Sequence, residues 1–210
     1  EIYHVWLRGF NENQLCSCGN AFQLCDFWRA VVEEAFGSID NIEVKQAIGL
    51  RQAVDRLRFV PRLVFPSIRG SNYQKKFQGY AQLLASLYGA IKKVSGCEVI
   101  VDSSKEPTHG FVLQAMPEVD LRTVHLVRDS RGVAHSWQRK KLKPEIHWKK
   151  EYIRRYTPAR SAFEWNLRNI MADLLNQFCN RSIRISYEHL VNNPRATMSR
   201  ILNELVNLES

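Results

Sequence analysis

Residues 121–141 read LRTVHLVRDSRGVAHSWQRKK. The first seven, Leu121 to Val127, form a short run that is apolar on both faces, the pattern of a strand covered by helices above and below. Polarity then changes abruptly at Arg128-Asp129-Ser130-Arg131, and a helical pattern runs from Ser130 to Arg139. In an open parallel sheet, ligands bind at the carboxyl ends of the strands. The free N–H groups and dipole of a helix opening there favour an anion. Arg128 offers a planar fork of donors that fits a phosphate in bidentate fashion. Ser136, about two helical turns further on, could reach the same anion through its hydroxyl. Such an Arg and Ser also occur together by chance, and Arg128 could instead pair with Asp129 or Asp102 and simply pin strand to helix.

Outward from this stretch, the same alternation recurs. Glu98-Val99-Ile100-Val101 reads as a strand ending at the polar turn Asp102-Ser103-Ser104-Lys105-Glu106-Pro107, and Ser182 to Tyr187 reads as another, ending at Tyr187-Glu188. Helical patterns separate them, over Thr108–Met116, Ser130–Arg139 and Pro158–Phe178, the last with Thr157 as N-cap and Pro158 at the first helical position. A final helix starts at Asn193-Pro194 and carries Met198, Ile201, Leu202 and Leu205 on one face. Strands alternating with helices imply βαβ units and an α/β fold. The N-terminal half is helical by its periodicity: about Cys25–Phe36, with Phe27, Ala30, Val31 and Ala35 on one face; about Ile42–Arg58, broken off by Pro61 and Pro66; and Tyr73–Val94, with Phe77, Tyr80, Leu84, Leu87, Tyr88 and Ile91 in a stripe. Gly96 suits the left-handed cap of that helix.

The chain has 210 residues, enough for one domain over 1–210 and too few for two with full cores. With 45% hydrophobic and 24% charged residues it is globular, which excludes disordered and low-complexity classes. A net charge of +9 favours an anionic partner: nucleic acid, a phosphorylated cofactor, an acidic glycan or a membrane surface. No apolar run approaches the roughly 20 residues of a membrane span, and nothing at the start resembles a signal peptide, so no membrane role is expected. Of five cysteines, Cys97 and Cys179 sit in apolar surroundings and read as buried thiols, which points to a reducing, cytoplasmic location. Cys16, Cys18 and Cys25 cluster as C-x-C-x6-C. Three thiolates suit zinc, yet no fourth ligand lies at finger-like spacing, although His4 could fold back. Reduced thiols are the expectation and no metal is assigned; zinc and a disulfide stay open.

Between Arg139 and Arg155 the periodicity fails. RKKLKPEIHWKKEYIRR holds eight Lys or Arg in seventeen residues, with Trp148 and Tyr152 interleaved. Two readings stand side by side, a solvated surface segment and a basic flap over an anionic ligand.

VIVDSSKEP (99–107), LRTVHLVRDSRGVAHSWQRKK (121–141) and RISYEHLVNNPRATMSRIL (184–202), in that order and spacing, resemble the sulfotransferases that use 3′-phosphoadenosine 5′-phosphosulfate (PAPS), and most closely the bacterial-type sulfotransferase domain proteins. LCSCG…CDFW near the start and YTPARSAFEWN (156–166) fit the same group. The resemblance implies a P-loop-type three-layer α/β fold with a short parallel sheet flanked by helices. It implies that Arg128 and Ser136 hold the 3′-phosphate, that Tyr187 lies near the adenine, and that Ser103, Ser104 and Lys105 meet the sulfate-bearing end, with Lys105 the catalytic candidate. It also implies in-line transfer of a sulfuryl group to a hydroxyl or amine of an acceptor, a carbohydrate among the candidates, releasing adenosine 3′,5′-bisphosphate. A general base is implied too; Glu106 and His109 lie near a strand end, His125 reads as a packed strand residue, and none is chosen.

The sequence departs from that family in one respect. None of its ten glycines lies in a G-x-x-x-x-G-K-S/T stretch, so the first strand and phosphosulfate loop are missing, and Glu1 opens the chain without an initiator Met. The expectation is an incomplete internal piece of a longer enzyme, inactive alone with half of the cofactor site absent. Two rivals remain: a nucleic-acid-binding module, on the strength of the basic, aromatic flap, and a nucleotide kinase-like protein of the same broad fold.

Overall fold

The computed structural model describes residues 1–206. These residues fall into two compact units, Glu1–Glu118 with Lys143–Glu151, and Val119–Leu142 with Tyr152 onward.

The first unit is helical. A π-helical turn, Val5–Asn11, precedes α1 (Asp26–Phe36), α2 (Val44–Val54), α3 (Val60–Val64), α4 (Ser71–Ser95) and α5 (Pro107–Gln114). α4 is the central element, and α1 and α2 both pack against it. Its stripe of Phe77, Tyr80, Leu84, Leu87 and Ile91 is buried as its periodicity requires, and Trp6, Val31 and Val54 are buried with it. Gly96 ends α4 at φ 66°, ψ 10°, the left-handed cap expected of it. Two details differ from the periodic reading. The buried side of α1 is Val31 and Val32 while Phe27 stays 40% exposed. Pro61 breaks nothing: α2 has already ended at Asp55, and Pro61 sits in the first turn of α3, where its missing N–H costs no hydrogen bond.

The stretch Glu98–Val101 is not a strand. It runs as irregular chain between α4 and α5, with Val99 52% and Val101 90% exposed. β-branched composition suits a pleated surface, but a strand exists only where a partner supplies the ladder. Cys97, expected to be buried, is exposed, and its thiol reaches only the Ser95 carbonyl; Cys179 is half-buried.

The second unit contains β1 (Arg122–Val127), α6 (Ser130–Gln138), α7 (Pro158–Asn176), β2 (Arg181–Ser186), α8 (Tyr187–Asn192) and α9 (Pro194–Ile201), followed by a π-helical turn, Leu202–Val206. β1 and β2 pair in parallel, from Arg122 opposite Arg181 to Val127 opposite Ser186. The class is therefore α/β, with helices around a short parallel sheet that among the described residues has two strands. Ile183 and Ile185 are buried with Leu205, and Leu190, Ile201 and Val206 pack on them. Of the face expected on the last helix, Leu205 and Ile201 take this part, whereas Met198 is 46% exposed. Against α7 the contacts of β1 are polar: Thr123 Oγ1 donates to Asn176 Oδ1 at 2.7 Å, and His125 meets Asp173 through Nδ1 and Asn169 through Nε2, each at 3.0 Å. This histidine is only 8% exposed, and each of its ring nitrogens lies within hydrogen-bond distance of a side-chain oxygen. Thr157 caps α7 by accepting the Arg160 N–H at 3.3 Å.

Candidate functional site

Arg128 follows the last residue of β1, and Asp129 caps α6, so the chain turns from strand to helix within two residues. The Arg128 backbone is pinned there by the Trp165 indole of α7, whose Nε1–H donates to the Arg128 carbonyl at 2.9 Å. Its guanidinium stands over the Tyr187 ring, 5.0 Å from the centroid, a cation–π arrangement. Arg128, Gly132, Tyr187, Glu188, Val191 and Asn192 line a cavity of about 290 Å³. Among the described residues the Arg128 guanidinium has no carboxylate partner within ion-pair distance: Asp129 pairs with Arg131 at 3.3 Å, and Asp102 bonds elsewhere. The alternative in which Arg128 merely ties strand to helix through a carboxylate is not what the side chains do.

The start of α6 differs from expectation. Two of its first N–H groups are already taken, because the Asp129 carboxylate accepts from the Arg131 and Gly132 N–H groups at 2.9 and 3.2 Å. The Arg131 guanidinium, together with these backbone bonds, holds the Asp129 carboxyl below the usual range. An anion at this strand end must therefore be held by side chains. Ser136 does not line the Arg128 cavity; its hydroxyl accepts from Lys141 Nζ at 2.7 Å. The sequence pattern did not single out Lys141 within its run of basic residues, yet it puts an ammonium beside the one hydroxyl chosen in α6. Tyr187 and Arg128 are brought together, and Ser136 and Lys141 form a second donor pair on the same helix–loop segment.

The turn at 102–106 belongs to the first unit. Asp102 accepts hydrogen bonds from Tyr88 Oη at 2.7 Å, from Ser104 N–H and Oγ at 2.9 and 2.8 Å, and from Ile2 N–H at 3.3 Å. Burial alone would raise its pKa, but the Tyr88 and Ser104 donors and the nearby His109 outweigh burial and hold the carboxyl below its ordinary value. His109 is 1% exposed, with Nδ1 3.3 Å from Asp55 Oδ2 and Nε2 3.4 Å from Tyr88 Oη. His109 is thus a buried strut under the turn. Ser104 spends its hydrogen on Asp102 and accepts the Tyr3 N–H at 3.2 Å, while Ser103 is exposed. Lys105 is 81% exposed and its Nζ lies 3.0 Å from Glu1 Oε1.

Glu1 also lies 3.7 Å from Arg8 and 3.9 Å from His4, two residues that line a cavity of about 260 Å³ with Glu12, Lys143, Trp148 and Lys149 among others. Burial, helped by the Arg8 charge, pushes the His4 imidazole down to about 4, so at neutral pH it is uncharged. The basic segment 139–155 is folded rather than loose. In the first unit the Lys143 N–H bonds the Glu151 carbonyl at 2.9 Å, Lys143 and Lys149 both pair with the Glu151 carboxylate, and Ile146 is 7% exposed. In the second unit Leu142 and Tyr152 form an antiparallel bridge, with Lys140 Nζ 4.1 Å from the Tyr152 ring centroid.

No helix among the described residues is long and apolar enough to cross a membrane. A model described as the Sulfotransferase family matches residues 43–206. Neither the curated proteins nor the solved structures return a match.

Proposed function

This chain belongs to the sulfotransferase family, and from that premise we propose that it moves a sulfuryl group from PAPS to a hydroxyl or amine of an acceptor. Membership makes it a transferase domain of the sulfuryl class, with a mixed α/β architecture in keeping with the P-loop-like fold of that family, and the nucleic-acid and kinase readings yield to it.

The observation that carries the proposal is the Arg128 guanidinium at the end of β1, over Tyr187 in a cavity of about 290 Å³ and paired with no carboxylate among the described residues. A cation left unneutralised at a strand end suits a ligand phosphate. In this reading Arg128 holds the 3′-phosphate and Tyr187 flanks the base; Ser136 and Lys141, outside the Arg128 cavity, form a separate donor pair whose part in holding the same phosphate rests on the sequence resemblance alone. These donors fit an anion, and the capped start of α6 is why the side chains rather than the helix terminus must supply them.

PAPS, when bound, supplies an activated sulfur whose bond to the bridging oxygen of the 5′-phosphate breaks as the acceptor's oxygen or nitrogen bonds to it from the opposite side. Such an in-line displacement asks the protein for orientation and charge neutralisation. The turn of Ser103, Ser104 and Lys105 lies in the first unit, and its assignment to the sulfate-bearing end rests on the sequence resemblance alone. The buried strut of Asp102, Tyr88 and His109 holds that turn.

Calorimetric titration of adenosine 3′,5′-bisphosphate into the protein and its variants tests this. Arg128→Ala should weaken binding by about 1.5–3 kcal/mol, the contribution of a hydrogen bond to a charged group, or roughly ten- to a hundredfold. Ser136→Ala and Lys141→Ala should each weaken it less. Lys105→Ala should leave bisphosphate affinity intact. An Arg128→Ala protein that binds within a factor of two of the parent would show that the site lies elsewhere.

A further inference from the structure

Cys16, Cys18 and Cys25 lie outside the stretch that matches the family, residues 43–206, and take no part in the strand-end chemistry. Yet their three sulfur atoms all lie within 4.8 Å of one another. The local fold explains why. Leu15 and Ala21 close a tight loop as an antiparallel bridge, the Cys16 N–H donates to the Asn20 carbonyl at 2.8 Å, and the Gly19 N–H returns to the Cys16 carbonyl at 2.9 Å. Gly19 takes φ 89°, a conformation that favours glycine, and so lets the loop reverse between Cys18 and Ala21. The chain then passes through one 3₁₀ turn, Phe22–Leu24, to Cys25, which is 4% exposed and stands as the N-cap of α1.

We propose that Cys16, Cys18 and Cys25 form a three-thiolate site for one zinc ion. On a tetrahedral zinc with bonds of about 2.3 Å, thiolate sulfurs sit about 3.8 Å apart. The three side chains need close only by about an ångström from their present limit to reach that spacing. A disulfide would use two of the sulfurs and leave the third without a reason to converge; a metal uses all three. All five cysteines are free thiols. Binding releases three thiol protons to solvent, and three thiolates around Zn²⁺ leave a net charge of −1. His4 does not complete the set: its ring stacks edge-on against Tyr3 and lies beside Glu1. Among the described residues no other His, Cys, Asp or Glu joins the group. With three protein thiolates, a tetrahedral ion would take its fourth ligand from solvent or from an external molecule. The ion would staple the loop of residues 15–21 to the start of α1, a structural role that is independent of sulfuryl transfer.

The test is metal analysis of the purified full chain, prepared reduced and without chelator, combined with cobalt(II) titration after zinc removal. One zinc per chain is expected, together with the intense thiolate-to-cobalt absorption of a sulfur-rich tetrahedral site. Cys18→Ser, at an exposed position that should leave the fold intact, and Cys25→Ser should both lose the metal, and Cys97→Ser should keep it. A chain that retains no zinc and develops no such absorption overturns the proposal. So does peptide mapping that finds two of the three cysteines joined in a disulfide, or a Cys18→Ser protein that holds zinc as the parent does.

Discussion

Asp102 ends a run of three apolar residues and turns its carboxylate inward, to Tyr88, Ser104 and the Ile2 N–H. Because these donors hold its folded pKa below the ordinary value of 3.8, its contribution to stability is fully present above that value. The contribution is lost as pH falls through the depressed folded pKa. Asp102→Asn should therefore lower stability at neutral pH by about 1–3 kcal/mol, the scale of a hydrogen-bonded charge. Its disadvantage against the parent should shrink on acidification, and chemical denaturation at a series of pH values from about 7 to about 3 measures this. A constant gap across that series would mean the carboxylate charge is not what the turn depends on. The residue type and its place before Ser-Ser-Lys were legible in the sequence. Its partners were not, because Tyr88 and His109 reach it only across the packing of α4 and α5.

At the scale of the element, α4 and α6 show what local rules decide and where they stop. Gly89 within α4 and Gly96 at its cap stand in contrasting settings. Gly96 caps the helix at φ 66° with open space where a Cβ would go, so Gly96→Ala meets only backbone strain, about 1 kcal/mol of destabilisation. Gly89 lies within the helix, exposed and with nothing within 4 Å of a built Cβ, so Gly89→Ala should stabilise by about 0.5–1 kcal/mol. Thermal unfolding of the two variants should shift in opposite directions; a shared direction would contradict the cap. Both helix and cap were readable because a 3.6-residue period and a left-handed glycine are local properties. The anion site at the start of α6 was misread in one respect. The sequence shows Asp129 before the helix, but which donors its carboxylate takes depends on side-chain geometry, and Asp129 occupies the N–H groups that a ligand would otherwise use.

For the whole molecule, an excess of 30 basic over 21 acidic residues creates a positive field that attracts anions from a distance. Association of adenosine 3′,5′-bisphosphate, followed by stopped flow, should slow as salt rises from about 0.05 to about 0.5 M, because the Debye length falls below the reach of that field. A rate flat across that range would confine the electrostatics to the groups in contact with the ligand. By itself the sequence determined the α/β class, the helices α1, α4, α6 and α7, the parallel strands β1 and β2, and the family. These follow from period, capping residues and ordered motifs, all of which act over a few residues. Only the tertiary structure decided that Glu98–Val101 lacks a ladder, that Arg128 faces Tyr187 while Asp129 takes Arg131, that Lys141 reaches Ser136, and that three cysteines converge. Each of these depends on which distant group arrives within a few ångströms, and hydrogen bonds, ion pairs and metal sites are chosen at that range.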